Sequence, residues 1–309
     1  MARDKLEHIP VMRAEAVAAL AVRADGRYLD ATFGRGGHAA SILAALGPAG
    51  RLLLLDRDPE AIRVAQARYA DEPRVAIRHA SFADLDQWDE TATLDGALFD
   101  FGVSSPQLDD PARGFSFMAD APLDMRMDPS SGESVSDYLA HADEREIADV
   151  LWRYGEERMS RRIAHAIVVR RTEAPLTRTG ELAALIERAI GRREPGKHPA
   201  TRSFQALRIK VNGELEAIEA GLAAVLPRLQ TGARLAAISF HSLEDRLVKR
   251  FIRDHAGIEV GDRRRPPLPG ARPAAVLRAV GKAIFPSEEE LKANPRARSA
   301  VLRVAEKLP

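Results

Sequence analysis

The chain has 309 residues, 45% of them hydrophobic, and a net charge of +1, which leaves room for two domains or for one large domain carrying an insertion. It contains no cysteine, which excludes disulfides, thiolate zinc sites, c-type haem attachment and any thiolate nucleophile. The opening MARDKLEHIPVM lacks an apolar core of signal-peptide length, and no run approaches the roughly 18–20 apolar residues that span a bilayer, so a cytoplasmic protein with no membrane partner is expected.

The first predicted unit is a strand, a turn and a helix. GRYLDATF, residues 26–33, reads as a strand, and three glycines follow at Gly34, Gly36 and Gly37 before a small-residue helix that runs to Leu46. Gly34, Gly36 and Ala39 satisfy the loose pattern G-x-G-x-x-G/A, which by itself serves NAD, another nucleotide or S-adenosylmethionine equally well. GRLLLLDRD (50–58) follows as a continuous apolar strand of the kind buried in parallel sheets, and PEAIRVAQARYA (59–70) as a helix with Pro59 in its first turn. RVAIRHAS (74–81) and LDGALFDFG (94–102) supply the third and fourth strands. The alternation predicts a parallel sheet with helices on both faces, the doubly wound α/β arrangement.

After Phe101 the rhythm breaks into a loop rich in Asp, Ser, Pro and Met, followed by helical, Arg-rich sequence from about Asp143 to Ile190. The alternation resumes with the helix GELEAIEAGLAAVLPRL (213–229) and the strand GARLAAISF (232–240). Residues 106–212 are therefore expected to form an inserted, mainly helical domain, and 1–105 with 213–309 a discontinuous sheet domain. SLEDRLVKRFIRDHA (242–256) reads as a helix with a capping box formed by Ser242 and Asp245. A basic loop containing Arg263, Arg264 and Arg265 then separates two short strands, LRAVGK (277–282) and SAVLRVAEKL (299–308). Paired closing strands suit the antiparallel end of a class I methyltransferase sheet better than the second half of a dehydrogenase.

The near-zero net charge conceals a split. Residues 1–105 hold 12 Lys/Arg against 16 Asp/Glu and residues 106–150 hold 3 against 11, whereas residues 151–212 hold 14 against 6 and the remainder 17 against 12. A net +8 over 151–212 is what a polyanion-binding face would produce, and Arg161, Arg162, Arg170, Arg171, Arg192, Arg193, Lys197 and Arg202 are its phosphate-contact candidates. The pairs at 161–162 and 170–171 are nine residues apart, near opposite sides of a helix, so one pair is expected to turn inward to the acidic stretch from Asp109 to Asp149.

Carboxylates narrow the choice of ligand. Asp56 ends the second strand twenty residues after Gly36, where an acid accepts hydrogen bonds from the ribose hydroxyls of an adenosine. Asp30 stands at the mouth of the glycine turn, where it would repel a pyrophosphate and attract an ammonium or a sulfonium. Phe82 and Asp84 follow the third strand and can meet an adenine face and edge, although Asp84 reads equally as a turn or cap residue. Asp100 ends the fourth strand. Four carboxylates around one nucleoside favour a cationic cofactor, S-adenosylmethionine, and no metal is implied.

Substrate should meet cofactor at the end of the fourth strand, in FDFGVSSPQLDD. Asp100, Ser104, Ser105 and Gln107 are acceptors that could draw the N–H bonds of an aromatic amine out of conjugation and make it a nucleophile; Asp100 and Ser105 are the catalytic candidates. With no thiol in the chain, methylation at pyrimidine carbon 5 through a covalent adduct is excluded, and direct transfer to nitrogen or oxygen remains.

The motifs HIPVM, DATFGRGGHA, LFDFGVSSPQLDDPARGFSFMADAPLDMRMD, YGEERMSRRIAHAIV, HPATRSFQALRIKVNGELE, ISFHSLEDRLVKRF and NPRARSAVLR, running from His8 to the C-terminus, together resemble the bacterial 16S rRNA cytosine-N4 methyltransferase family. The family pattern has Gly at Ala31 and Ser at Ala39, departures that remove no side-chain ligand. The resemblance implies a class I, Rossmann-like fold and a cofactor site of Gly36, Gly37, His38, Asp56, Phe82, Asp100 and Gln107. His38 enters through the resemblance alone. It also implies an RNA-facing inserted domain and 16S rRNA in the small ribosomal subunit, near the decoding centre, as the partner. Oligomeric state stays open, a homodimer included. The rival expectations are another RNA or DNA amino-methyltransferase, a nicotinamide-dependent oxidoreductase, or an RNA-binding assembly factor without activity.

Overall fold

A computed structural model describes residues 10–191, 198–257 and 274–309. The chain divides into two compact units, Met1–Gly102 with Leu215–Pro309, and Val103–Glu214. In chain order the first stretch holds α1 (Arg13–Leu20), β1 (Arg27–Asp30), α2 (Gly37–Ala45), β2 (Arg51–Asp56), α3 (Pro59–Arg68), β3 (Val75–His79) and β4 (Leu94–Asp100). The second unit holds α4 (Ser105–Asp109), α5 (Val135–His141), α6 (Glu144–Gly155), α7 (Ser160–Glu173), α8 (Thr179–Ile190) and α9 (Thr201–Asn212). There follow α10 (Glu214–Val225), β5 (Leu229–Ser239), α11 (Ser242–His255), β6 (Leu277–Ala279), α12 (Glu288–Ala293) and β7 (Val301–Lys307).

The strands of the first unit form one sheet in the order β3-β2-β1-β4-β5-β7-β6. Pairing is parallel from β3 to β5, and β7 runs antiparallel to both β5 and β6. The four leucines of β2 show why this sheet must be covered on both faces. Successive side chains on a strand point to opposite sides. Leu52 and Leu54 accordingly join Leu20, Ile42 and Ala65 in one apolar layer, while Leu53 and Leu55 join Phe99, Leu222 and Val248 in the other. The expected doubly wound sheet with its antiparallel closing strands is therefore present.

The register fixes where chemistry can occur. Asp30 of β1 lies beside Leu54 of β2 and beside Leu98 of β4, so Asp56 and Asp100 each stand two residues further along the neighbouring strands. The chain leaves β1 toward β2 on one side and has β4 on the other, which makes the β1–β4 boundary the switch point where open parallel sheets bind ligands.

One expected detail is corrected at the start of α11. The capping box is formed one residue earlier, by His241 and Glu244: the Phe240 and His241 N–H groups donate to Glu244 Oε2 at 2.7 and 3.2 Å, and Glu244 N–H donates to His241 Nδ1 at 3.5 Å. His241 retains an extended backbone as β5 ends, so Ser242 is already helical. Asp245, freed from capping, takes the guanidinium of Arg303 on β7 at 2.6 and 3.0 Å.

The second unit is helical around its own core, which includes Leu123, Tyr138, Leu151, Ile163, Ile186 and Phe204. The helical sequence expected from about Asp143 to Ile190 forms three helices. Glu156 turns left-handed (φ 52°) after Gly155, and Ala174 becomes extended before Pro175, a position where the proline ring disfavours helix. Buried Asn212 ties down the loop that precedes α5. Its amide donates to Met125 O at 2.7 Å and to Arg208 O at 2.9 Å, and its Oδ1 accepts from Met127 N at 2.7 Å.

The arginine pairs of α7 also separate as their spacing requires. Arg161 and Arg162 are exposed. Arg171 donates to Leu139 O and Ala142 O, both at 2.7 Å, satisfying carbonyls that the end of α5 leaves open, and Arg170 donates to Ala174 O at 2.8 Å. The inward pair thus meets backbone carbonyls of the acidic stretch and of its own helix end. Arg202 lies half-buried on α9, and Arg192, Arg193, Lys197 and Arg263–Arg265 lie outside the described residues.

Candidate active site at the ends of the parallel strands

The glycine turn is held by the carboxylate of Asp56. Gly34 N–H donates to Asp56 Oδ2 at 2.7 Å and Asp58 N–H to Oδ1 at 2.8 Å, while Gly36 N–H closes the turn on Phe33 O at 2.7 Å. Arg68 Nη1 reaches over from α3 to Arg35 O at 2.7 Å. Gly36 sits at φ 75°, and a Cβ there would come within 2.4 Å of the Phe33 ring; one at Gly37 would come within 2.5 Å of Pro10. Only glycine fits, and the first N–H groups of α2 are left without a side-chain cap. Asp56 therefore has a structural task that its spacing did not disclose. A carboxylate has about four acceptor sites, so these N–H groups leave room for a ligand hydroxyl.

Behind the turn lie three more groups. Asp30 is buried to 1% exposure; its Oδ1 accepts from Thr32 N–H at 3.2 Å, and its Oδ2 has no hydrogen-bond partner among the described residues. Asp100 is positioned through its backbone, whose N–H donates to Thr32 Oγ1 at 2.6 Å, and its Oδ1 also lacks a partner among the described residues. His38, in the first turn of α2, is buried and places Nε2 3.5 Å from Asp100 Oδ2. Thr32 links the ends of β1 and β4, a role that sequence reasoning missed; the only signal was a hydroxyl two residues after Asp30.

The electrostatics follow from burial. Loss of hydration pushes Asp30 up to about 6, with the charges of Asp100 and Asp56 adding to the rise and His38 and the Thr32 N–H opposing it. Burial also pushes Asp56 up to about 6 against the N–H groups of Asp58 and Gly34. For His38 burial acts downward, but the carboxylate of Asp100 and the charge of Asp30 outweigh it and hold the imidazole above its ordinary value. Clustered acids with unmatched buried oxygens are matched by a ligand that is both cationic and hydroxylated, and they oppose a pyrophosphate.

The remaining sequence candidates are placed as follows. Phe82 packs edge-on against Phe99 and Phe101, with centroids 5.6 and 5.8 Å away, and Asp84 is exposed after β3. Ser105 and Gln107 belong to the second unit, at the start of α4, where Gln107 Oε1 accepts from Ser104 N–H at 2.9 Å. Ala31 and Ala39, the two departures from the family pattern, are both fully packed in the sheet unit.

A profile of the MraW methylase family matches residues 5–308. The chain belongs to the MraW methylase family. It is 57% identical over 308 residues to the ribosomal RNA small subunit methyltransferase H of Xylella fastidiosa strain 9a5c, covering 98% of both chains. It is 58% identical over 301 residues to the protein of the same name from Stenotrophomonas maltophilia strain K279a, covering 97% of this chain and 93% of that one. The resemblance drawn from the motifs is thus borne out. The chain is a methylase with S-adenosylmethionine as its cofactor, and the oxidoreductase and the inactive assembly factor fall away.

An acid whose folded-state pKa is raised holds protons in the native state that the unfolded chain has released, so its contribution to stability falls as pH rises from about 4 to about 6. Ionised Asp30 costs the methylase on the order of 3 kcal/mol at neutral pH. Asp30→Asn is expected to raise the melting temperature at pH 7.5 and to remove Asp30's share of the slope between about pH 4 and 6, while weakening S-adenosylmethionine binding. Melting curves across pH check this; a variant less stable than the parent at neutral pH would contradict it.

Proposed function

We propose that this methylase transfers a methyl group from S-adenosylmethionine to the N4 amine of a specific cytosine of 16S rRNA, near the decoding centre of the small ribosomal subunit in the cytoplasm. The observation that carries the reading is the set of strand-end carboxylates with buried, unpartnered oxygens, Asp30 Oδ2 and Asp100 Oδ1, beside a turn where only glycine fits. These residues fit the cofactor: Asp56 offers lone pairs to hydroxyls, Asp30 offers charge to a cation, and the uncapped start of α2 offers N–H groups to a carboxylate. When bound, S-adenosylmethionine supplies a methyl group activated by its sulfonium.

The acceptor follows from what the chain can and cannot do. Without cysteine it has no thiolate to add to a pyrimidine ring, so carbon 5 is not reached by covalent catalysis. An exocyclic amine needs acceptors for its N–H bonds, and Asp100, with one oxygen uncommitted at the switch point, is suited to grip it. Ser105 and Gln107 are assigned to substrate and cofactor respectively on the motif alone. The helical unit takes the RNA: its outward pair, Arg161 and Arg162, presents guanidinium groups to phosphates, whereas Arg170 and Arg171 are committed to carbonyls.

Purified protein given labelled S-adenosylmethionine and small subunits from a strain lacking the enzyme should yield N4-methylcytosine on nucleoside analysis. Label in 5-methylcytosine, or no label in the subunit, would overturn the assignment. Replacing Arg161 and Arg162 together by alanine should weaken subunit binding and flatten its salt dependence by about one unit for each phosphate left without its guanidinium, with cofactor affinity unchanged. An unaltered salt slope would remove the α7 pair from the RNA surface.

A further inference from the structure

The two oxygens of Asp100 stand in different surroundings. Oδ2 faces His38 Nε2 at 3.5 Å, an ion-pair approach without a formed hydrogen bond, while Oδ1 is buried with no partner among the described residues. The backbone N–H of the same residue donates to Thr32 Oγ1 at 2.6 Å, which fixes where the strand end carries the side chain. The sequence resemblance gives His38 to the cofactor. Its imidazole, however, is 5% exposed and lies among carboxylates, Asp100 from β4 and Asp30 from β1, with the charge of Arg13 of α1 a smaller opposing influence. A side chain so enclosed serves its neighbours, and what His38 offers an open ligand is its backbone at the start of α2.

We propose that His38 is a positioning residue: its imidazole, 3.5 Å from Oδ2, holds the Asp100 carboxylate in place as the proton acceptor for the substrate amine. The proposal rests on the amine-methylation reading above. Methylating a cytosine amine forms the N–CH3 bond with the nitrogen electron pair, breaks the carbon–sulfur bond with its pair going to sulfur, and releases one proton from nitrogen. The Asp100 carboxylate takes that proton and becomes a carboxylic acid, which later returns it to solvent. A separation of 3.5 Å is long for a hydrogen bond, as is common for catalytic pairs before substrate closes on them. The imidazole needs only one N–H on Nε2 to do this, which both its neutral and charged forms can supply.

The test compares His38→Gln, whose amide N–H can reach the place of the imidazole Nε2–H, with His38→Met, which fills the volume and donates nothing. Calorimetry with S-adenosylhomocysteine shows that each variant is folded and how well it holds a nucleoside ligand; kcat and KM for small subunits are measured at saturating S-adenosylmethionine. The proposal expects His38→Met to lower kcat about 10- to 100-fold, with KM and the Kd for S-adenosylhomocysteine within threefold of the parent, and His38→Gln to recover most of the loss. It is overturned if His38→Met keeps its kcat, if the loss is confined to Kd, or if Gln is no better than Met. If the unsubstituted protein makes no N4-methylcytosine, the underlying reading has failed instead.

Discussion

Everything at this site depends on one electrostatic constraint: three acids, Asp30, Asp56 and Asp100, end three adjacent parallel strands and are crowded together where water is scarce. Parallel register produces the crowding, because strands that run in one direction deliver their last residues to one edge. The fold relieves it only in part, with the N–H groups of Gly34, Thr32 and Asp58 and the single imidazole of His38. The unrelieved remainder is what a cationic cofactor supplies. Such a site weakens the protein when empty and binds when filled, which is how functional strain is usually arranged.

The glycine turn is a consequence of the same arrangement. Asp56 can close it because Gly34 brings a bare N–H to within 2.7 Å, and the turn can take that shape because no Cβ intrudes at Gly36 or Gly37. Thr32 ties the β1 end to the β4 end through one hydroxyl. The ends of β1 and β4 are thereby held together on one edge of the sheet. Arg171 shows the division of labour within one helix: it holds the end of α5, and the pair nine residues earlier faces solvent.

Much of this was legible in the sequence because it rests on local pattern. Four leucines between Gly50 and Asp56 can be little else than a buried parallel strand, and Asp56 and Asp100 were placed by being strand ends. The helices of the second unit break at Gly155 and before Pro175, both of them residues that mark helix ends in the sequence. The capping box of α11 was misplaced by one residue because His241–Glu244 and Ser242–Asp245 have the same spacing. Only the point at which β5 releases the chain decides between them. Long-range hydrogen bonds left no local trace: Gly34 to Asp56, Asp100 to Thr32, and Arg171 to the carbonyls of α5. His38 is the sharpest case, since a lone histidine opening a helix carries no periodicity, and its meaning lies in the two acids on other strands. The α9 helix was passed over as family motif, though Asn212 at its end secures the Met125–Met127 loop.

The central claim is that burial raises Asp30 and Asp56 to about 6 in the empty site, so that near that pH they give up protons when a cation arrives. Calorimetric titration of the protein with S-adenosylmethionine, repeated near pH 6 in buffers of different ionisation enthalpy, measures the protons exchanged on binding. With Asp30 and Asp56 both near 6, binding should release about one proton in total at that pH and almost none at pH 8. Binding with no proton release near pH 6, or with net uptake, would contradict the account.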